Sequence, residues 1–130
     1  MTPTVGRQAT VSRRVGAADT AAAVGSGDLP VLGTPVVVAA LEQAACAALS
    51  GTLADGQTSV GIHLDVSHVA PSAVGAVIHA TATLEEVDGR RLRFSVVAAQ
   101  DLPDGAVEIA RGTHARVVVD RERFLAGVPG

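Results

Sequence analysis

One segment constrains this chain more than any other: Thr34 to Gly51, TPVVVAALEQAACAALSG. Thr34 suits a helix N-cap, and Pro35 suits the first helical position, where its missing N–H costs nothing. Ser50-Gly51 stops the helix. The segment therefore predicts a helix from Pro35 to Leu49. Its three consecutive valines weaken helix propensity, and the Ala and Leu residues that follow restore it. The helix is apolar nearly all the way round, so it has to be buried rather than lie on a surface. The rest of a 130-residue chain must supply the cover.

That cover reads as strands. After the helix the hydrophobic period switches to two. Val60, Ile62, Leu64 and Val66 alternate with Gly61, His63, Asp65 and Ser67, the pattern of a half-buried strand. A second strand is predicted from about Ala76 to Val87, with Asp88-Gly89 as a hairpin turn. A third runs from Arg91 to Ala99. Pro103-Asp104-Gly105 turns the chain into a fourth, from Val107 to Asp120. Gln8 to Val15 reads as one more. Residues 16–33, rich in Gly and Ala, read as an irregular loop. One buried helix followed by an antiparallel meander gives an α+β class, with the long helix clasped by a curved antiparallel sheet. The length suits a single domain over residues 1–130, enough to bury a core without disulfides or metal.

Composition excludes several functions. The formal net charge is -3, and the aromatics are 2%, namely Phe94 and Phe124. All ten basic residues are Arg, and they form no basic stripe. Nucleic acid is therefore not an expected partner. The N-terminal stretch lacks a signal peptide's apolar core, and no clean apolar run reaches the ~18 residues that span a bilayer. No membrane association is expected. A single cysteine, Cys46, excludes an internal disulfide and suits a reducing compartment, so the cytoplasm is the expected location. There is no GxSxG elbow, Walker A, GxGxxG or HExxH, and the scattered histidines give no zinc spacing.

Three residues stand out. Glu42 is the only charge between Asp28 and Asp55, in the middle of the apolar helix. Either it shares a narrow solvent-facing stripe with Gln43, or it is a carboxylate held in an apolar cleft as base or nucleophile. His68 has the parity of Val60, Ile62, Leu64 and Val66, so it faces the apolar side just before Pro71. It is either a hydrogen-bonded core histidine or part of a site. His63 and His79 fall on polar strand faces and read as solvated. Thr34 is a helix cap at least, and the N-terminal dipole of a buried helix also suits an acyl oxyanion. Gly61 interrupts its strand, as glycine does where a ligand approaches the backbone closely. Cys46, one turn beyond Glu42, reads as a small buried hydrophobe.

These residues lie in strings that resemble the hot-dog thioesterases related to fluoroacetyl-CoA thioesterase. The strings are VLGTPVVVAALEQAA, VGIHLDVSHVAPSAVG, LEEVDGRRLRFSVVAAQD and GTHARVVVDRERF, in order over roughly residues 29–126. The resemblance implies a hot-dog fold, usually dimeric, with the site at the seam between sheets. It implies hydrolysis of a small or medium acyl-CoA to free acid and CoA by a Thr/Glu/His set. Those residues correspond to Thr34, Glu42 and His68. Gly61 corresponds to the glycine that approaches the thioester, and Arg116 to the Arg of the GTHxR segment. Arg116 is expected on the surface, within reach of CoA phosphates. No metal or redox cofactor is implied, and the expected assembly is a homodimer or a higher even oligomer. A non-catalytic module binding acyl-CoA or an acyl carrier, a hot-dog hydratase and a purely structural dimer are the rivals. Asp65 and His68, three apart on a strand, argue against the hydratase.

The chain departs from the family in three places. Ala99-Gln100-Asp101 stands where AHD is common, and Ala115 interrupts GTHER. The third departure concerns the loop before the helix. There the fluoroacetate-specific enzyme has phenylalanines as a lid, and this chain has Leu29, Pro30, Val31 and Leu32, of which Leu32 is expected to line the acyl pocket. Without that lid, fluoroacetyl-CoA should hold no marked advantage over acetyl-CoA. A kcat/KM ratio of about a hundredfold, on the order of 2.7 kcal/mol, would contradict this lid argument.

Overall fold

The computed structural model describes residues 2–130. Its elements in chain order begin with β1 (Gln8–Arg14), a 3-10 turn (Ala17–Asp19), α1 (Ala21–Val24) and α2 (Thr34–Ala48). β2 (Gln57–His68), β3 (Val77–Asp88), β4 (Arg91–Leu102), β5 (Gly105–Asp120) and α3 (Arg121–Ala126) follow. The expected helix and all five expected strands are present. Every pairing is antiparallel, in the order β1-β3-β4-β5-β2. Among the described residues, no helix is long and apolar enough to cross a membrane.

The sheet is not a simple meander. β3, β4 and β5 are joined by two-residue turns at Gly89-Arg90 and Pro103-Asp104, and Gly89 takes the positive φ of 58° that its tight turn requires. β2 and β3 are instead separated by residues 69–76, which include Pro71. That connection is too long for a tight hairpin, and it carries the chain across the sheet, so β2 pairs with β5 at the far edge.

α2 lies across the sheet and packs on β1, β2, β3 and β4. Its buried side is Val37, Ala40, Leu41, Ala44, Ala45 and Ala48. β3 turns Ile78, Ala80, Ala82 and Leu84 inward, and β4 turns Leu92, Phe94, Val96 and Ala98 inward, all in one core cluster with the helix. Alanine on both sides of this interface lets the helix axis come close to the strands. The helix is not covered all round, however. Pro35, Ala39, Gln43 and Cys46 form an exposed stripe with Glu42 at its margin. Cys46 is therefore an exposed thiol rather than a buried hydrophobe.

Residues 16–33 are ordered, against the irregular loop that their composition suggests. Arg13 donates to Asp19 at 2.6 Å, Asp19 also accepts from the Gly16 amide at 2.9 Å, and the Gly33 amide donates to the Asp19 carbonyl at 2.9 Å. The Arg13 guanidinium, followed by the Gly16 amide, holds the Asp19 carboxyl below its ordinary range. An isolated bridge from Thr20 to Leu32 closes the segment on itself, and one from Val31 to Ala73 fastens it to the connection after β2. Two of these contacts are local, Arg13 and Gly16 lying six and three residues from Asp19, and only the Gly33 contact spans a longer stretch; glycine and alanine content gives no sign of any of them.

Leu41 is fully buried at the centre of this packing. Leu41→Ala should lower the unfolding free energy by about 2–5 kcal/mol, read from the midpoint of chemical denaturation.

Candidate active site

Thr34 and His68 meet, although they are expected from separate elements. Gly33, not Thr34, is the N-cap of α2. Thr34 has already entered the first turn, which frees its hydroxyl from capping. Its Oγ1 lies 2.8 Å from His68 Nδ1, at the end of β2. His68 Nε2 is buried with no hydrogen-bond partner in the protomer. Both side chains line a cavity of about 320 Å³ whose other walls include Val31, Leu32, Ala70 and Pro71. Leu32 belongs to this wall and is only 2% exposed. Leu29 is solvent-exposed and takes no part in the lining.

Glu42 belongs to a second group. β2 carries a bulge between Gly61 and His63, with Ile62 as the extra residue. The bulge changes the parity of the strand. Leu64, Val66 and His68 still share a face, but it is Gly61 rather than Val60 that turns toward α2. A Cβ on Gly61 would stand 2.5 Å from Glu42 Oε2 and 3.2 Å from the His114 ring, so only glycine leaves this space. Arg116, opposite Gly61 on β5, donates from Nη1 to Glu42 Oε2 at 3.3 Å. The same Nη1 is 3.1 Å from His114 Nε2. Arg116 also donates from Nε to the Ser59 hydroxyl at 2.8 Å and from Nη2 to the Ser59 carbonyl at 3.1 Å. Arg116 is buried, which corrects the expectation of a surface residue open to CoA phosphates.

His114 was not singled out from the sequence, and its two partners fix its state. Nδ1 lies 2.8 Å from the His63 carbonyl, which can only accept, so Nδ1 carries the proton. Nε2 faces a guanidinium, which can only donate, so Nε2 offers its lone pair. His114 is thus a neutral imidazole. Burial, the largest influence, pushes its pKa below the ordinary imidazole value. The available signal was parity, since His114 and Arg116 are two apart on a strand and share a face. Ser59 has the same relation to Gly61.

The protomer does not bring all the expected residues into one place. Thr34 and Glu42 are eight residues apart on α2, about 12 Å along the helix axis. The first group can polarise a carbonyl or orient a water through His68. The second presents an ion-paired carboxylate at the margin of the exposed helix stripe. His79 lies away from α2, between Ser12 at 2.6 Å and Asp101 at 2.9 Å. Among the described residues, no three metal-ligating side chains are grouped to hold an ion.

Gly61→Ala tests the close approach. The intruding methyl meets the end of the flexible Glu42 side chain, so the fold should persist with Glu42 displaced. Displacements of about 1 Å can cost on the order of 100-fold in rate, so kcat/KM for an acyl-CoA should fall by about that factor with the melting temperature largely kept.

Comparison with known proteins places this geometry in a family. The family model described as "Fluoroacetyl-CoA-specific thioesterase" matches residues 15–122. The fluoroacetyl-CoA thioesterase of Streptantibioticus cattleyicolor is 38% identical over 98 residues, which cover 75% of this chain and 68% of that protein. A crystal structure of a mutant of the fluoroacetyl-CoA-specific thioesterase FlK superposes with a TM-score of 0.83 at 32% identity, covering 95% of this chain and 93% of the other. A hot-dog-like protein from Thermanaerovibrio acidaminovorans superposes with a TM-score of 0.80 at 27% identity, covering 97% and 93%. With its helix clasped by a five-stranded antiparallel sheet, the chain belongs to the fluoroacetyl-CoA-specific thioesterase family of hot-dog proteins.

Proposed function

We propose that this chain hydrolyses a small or medium acyl-CoA to the free acid and CoA, in a site assembled from two copies. Thr34 and His68 come from one copy and Glu42 from the other. The observation that carries this reading is the cavity at Thr34 and His68, which holds a buried His68 Nε2 with no partner. Buried polar nitrogens are seldom left unpaired, so a substrate oxygen or a water is the natural occupant. Membership of a thioesterase family supports thioester hydrolysis, and a related FlK structure was solved with acetyl-CoA bound. The separation of Glu42 from Thr34 supports a shared site, because no side chain spans about 12 Å. β2 supports pairing, since it is a twelve-residue edge strand with one side open. The exposed α2 stripe of Pro35, Ala39 and Cys46 is apolar cover without a partner in the protomer.

In this reading Thr34 donates to His68 Nδ1, so Nε2 carries the proton and can donate to the thioester carbonyl oxygen. Glu42 then acts in one of two ways. As general base it takes a proton from water while the water oxygen bonds to the thioester carbon. As nucleophile it bonds to that carbon itself, and water hydrolyses the acyl-enzyme. In both, the carbon–sulfur bond breaks and CoA leaves as a thiolate, which takes up the proton that Glu42 removed from water in the first route and a solvent proton in the second, with His68 neutral before and after. The reaction as proposed uses no cofactor. The cavity walls of Val31, Leu32 and Ala70 favour a compact apolar acyl group. The cytoplasm, a reducing compartment, suits the exposed Cys46 thiol.

Two measurements test the reading. Glu42→Gln should lower kcat/KM by about 10²–10⁴-fold with the fold retained, since the Gln side chain still offers Arg116 an acceptor; a rate within about threefold of wild type would leave a binding module instead. Thr34→Ala and Glu42→Gln proteins, each nearly inactive, should regain about one quarter of wild-type activity when dissociated and re-paired. Half of the random dimers are mixed, and each of those holds one intact site of two. No recovery, or light scattering that shows monomer alone, would rule out the shared site.

A further inference from the structure

The Glu42 carboxylate is held by a guanidinium that is itself fixed before any substrate arrives. Arg116 makes four hydrogen bonds: two to Ser59, one to His114 and one to Glu42. Its side chain is 7% exposed, whereas that of Glu42 is 37% exposed. The flexible partner is therefore Glu42 and the fixed partner is Arg116. Behind Arg116, the His114 ring is anchored on both edges, by the His63 carbonyl of β2 and by Arg116 itself. Phe94 of β4 stacks on its face, with ring centroids 6.1 Å apart.

We propose that His114 and Ser59 are positioning residues for the hydrolysis. Together they lock the Arg116 guanidinium so that it holds the Glu42 carboxylate over Gly61 in its reactive orientation. This inference rests on the reading of Glu42 as the catalytic carboxylate. His114 performs this role only as the neutral Nδ1–H tautomer, because its lone pair on Nε2 is what Arg116 grips. A proton there would set one N–H donor against another. The charged and titratable groups facing the ring are Arg116 on β5, Glu42 on α2 and His63 on β2. Burial, the largest influence on His114, favours the neutral form. An apolar residue of similar size would fill the same space and offer no acceptor. Packing and positioning therefore make different demands on this position.

The test measures kcat and KM separately for His114→Leu, His114→Gln and Ser59→Ala, each with Glu42 intact and in the Glu42→Gln background. A misdirected catalytic group commonly costs one to two orders of magnitude, so His114→Leu should lower kcat by about tenfold or more with KM within about threefold. His114→Gln returns an acceptor near the Nε2 position and should recover most of the loss. Ser59→Ala should lower kcat by about threefold to tenfold, since the Ser59 carbonyl still holds one arm of Arg116. In the Glu42→Gln background neither change should cost more than about twofold further, because both act through Glu42. Wild-type kcat in His114→Leu overturns the inference, as does an equal loss in both backgrounds or a change in KM alone. Should His114→Leu fail to fold, Ser59→Ala decides on the same criteria, with one hydroxyl removed. Glu42→Gln at wild-type rate would overturn the catalytic reading and this inference with it. An inactive Glu42→Gln beside fully active His114→Leu and Ser59→Ala would overturn this inference alone.

Discussion

The close seating of α2 on the sheet underlies the rest of this molecule. A helix whose inner side is Val37, Ala40, Leu41, Ala44, Ala45 and Ala48 meets strands that present Ala80, Ala82 and Ala98 between larger residues. Small side chains on both surfaces shorten the distance between helix axis and sheet. The burial of Leu41, Leu84, Leu92 and Phe94 beside them supplies the hydrophobic drive. With the helix so placed, its first turn reaches the end of β2 and its middle reaches Gly61. Both groups of candidate site side chains follow from that one contact.

The polar group around Glu42 shows what close seating demands. Arg116 and His114 are inward-facing residues of β5, beneath the helix, and a buried guanidinium is costly unless its donors are paired. Ser59, His114 and Glu42 supply the acceptors. The bulge at Ile62 is part of the same solution, because it turns Ser59 and Gly61 together toward the helix and leaves space for the carboxylate. Glu42 is thus neither a free solvent-facing residue nor an isolated buried charge. It is an ion pair at the edge of the protomer, on the margin of a surface that is still open.

Much of the fold was legible because it depends on local signals. The apolar run from Pro35 to Leu49 had to be a helix with most of its surface covered, although one stripe of it stays exposed in the protomer. Period-two alternation marked the strands, and Gly89 and Pro103 marked two hairpins. Less was legible where distant partners decide. The segment 16–33 looks irregular in composition, yet the Gly33 amide on the Asp19 carbonyl and the bridge from Val31 to Ala73 help to fix it. The exchange of neighbours that places β2 beside β5 leaves no mark on either strand. Thr34 reads as a cap because Thr commonly caps helices. Gly33 takes that position, and His68 claims the hydroxyl.

The sequence by itself determined that a buried helix would carry one carboxylate, that a histidine would face the same interior, and that a glycine would interrupt the intervening strand. Those are matters of residue type, periodicity and parity. Tertiary structure alone decided that Thr34 belongs with His68, and that Glu42 belongs with Arg116 and His114 about 12 Å along the helix. It also made Cys46 exposed and Arg116 buried. Periodicity says which face of an element a residue occupies. What that face meets depends on the order of strands in the sheet and on a one-residue bulge, and both are set by packing over long sequence distances.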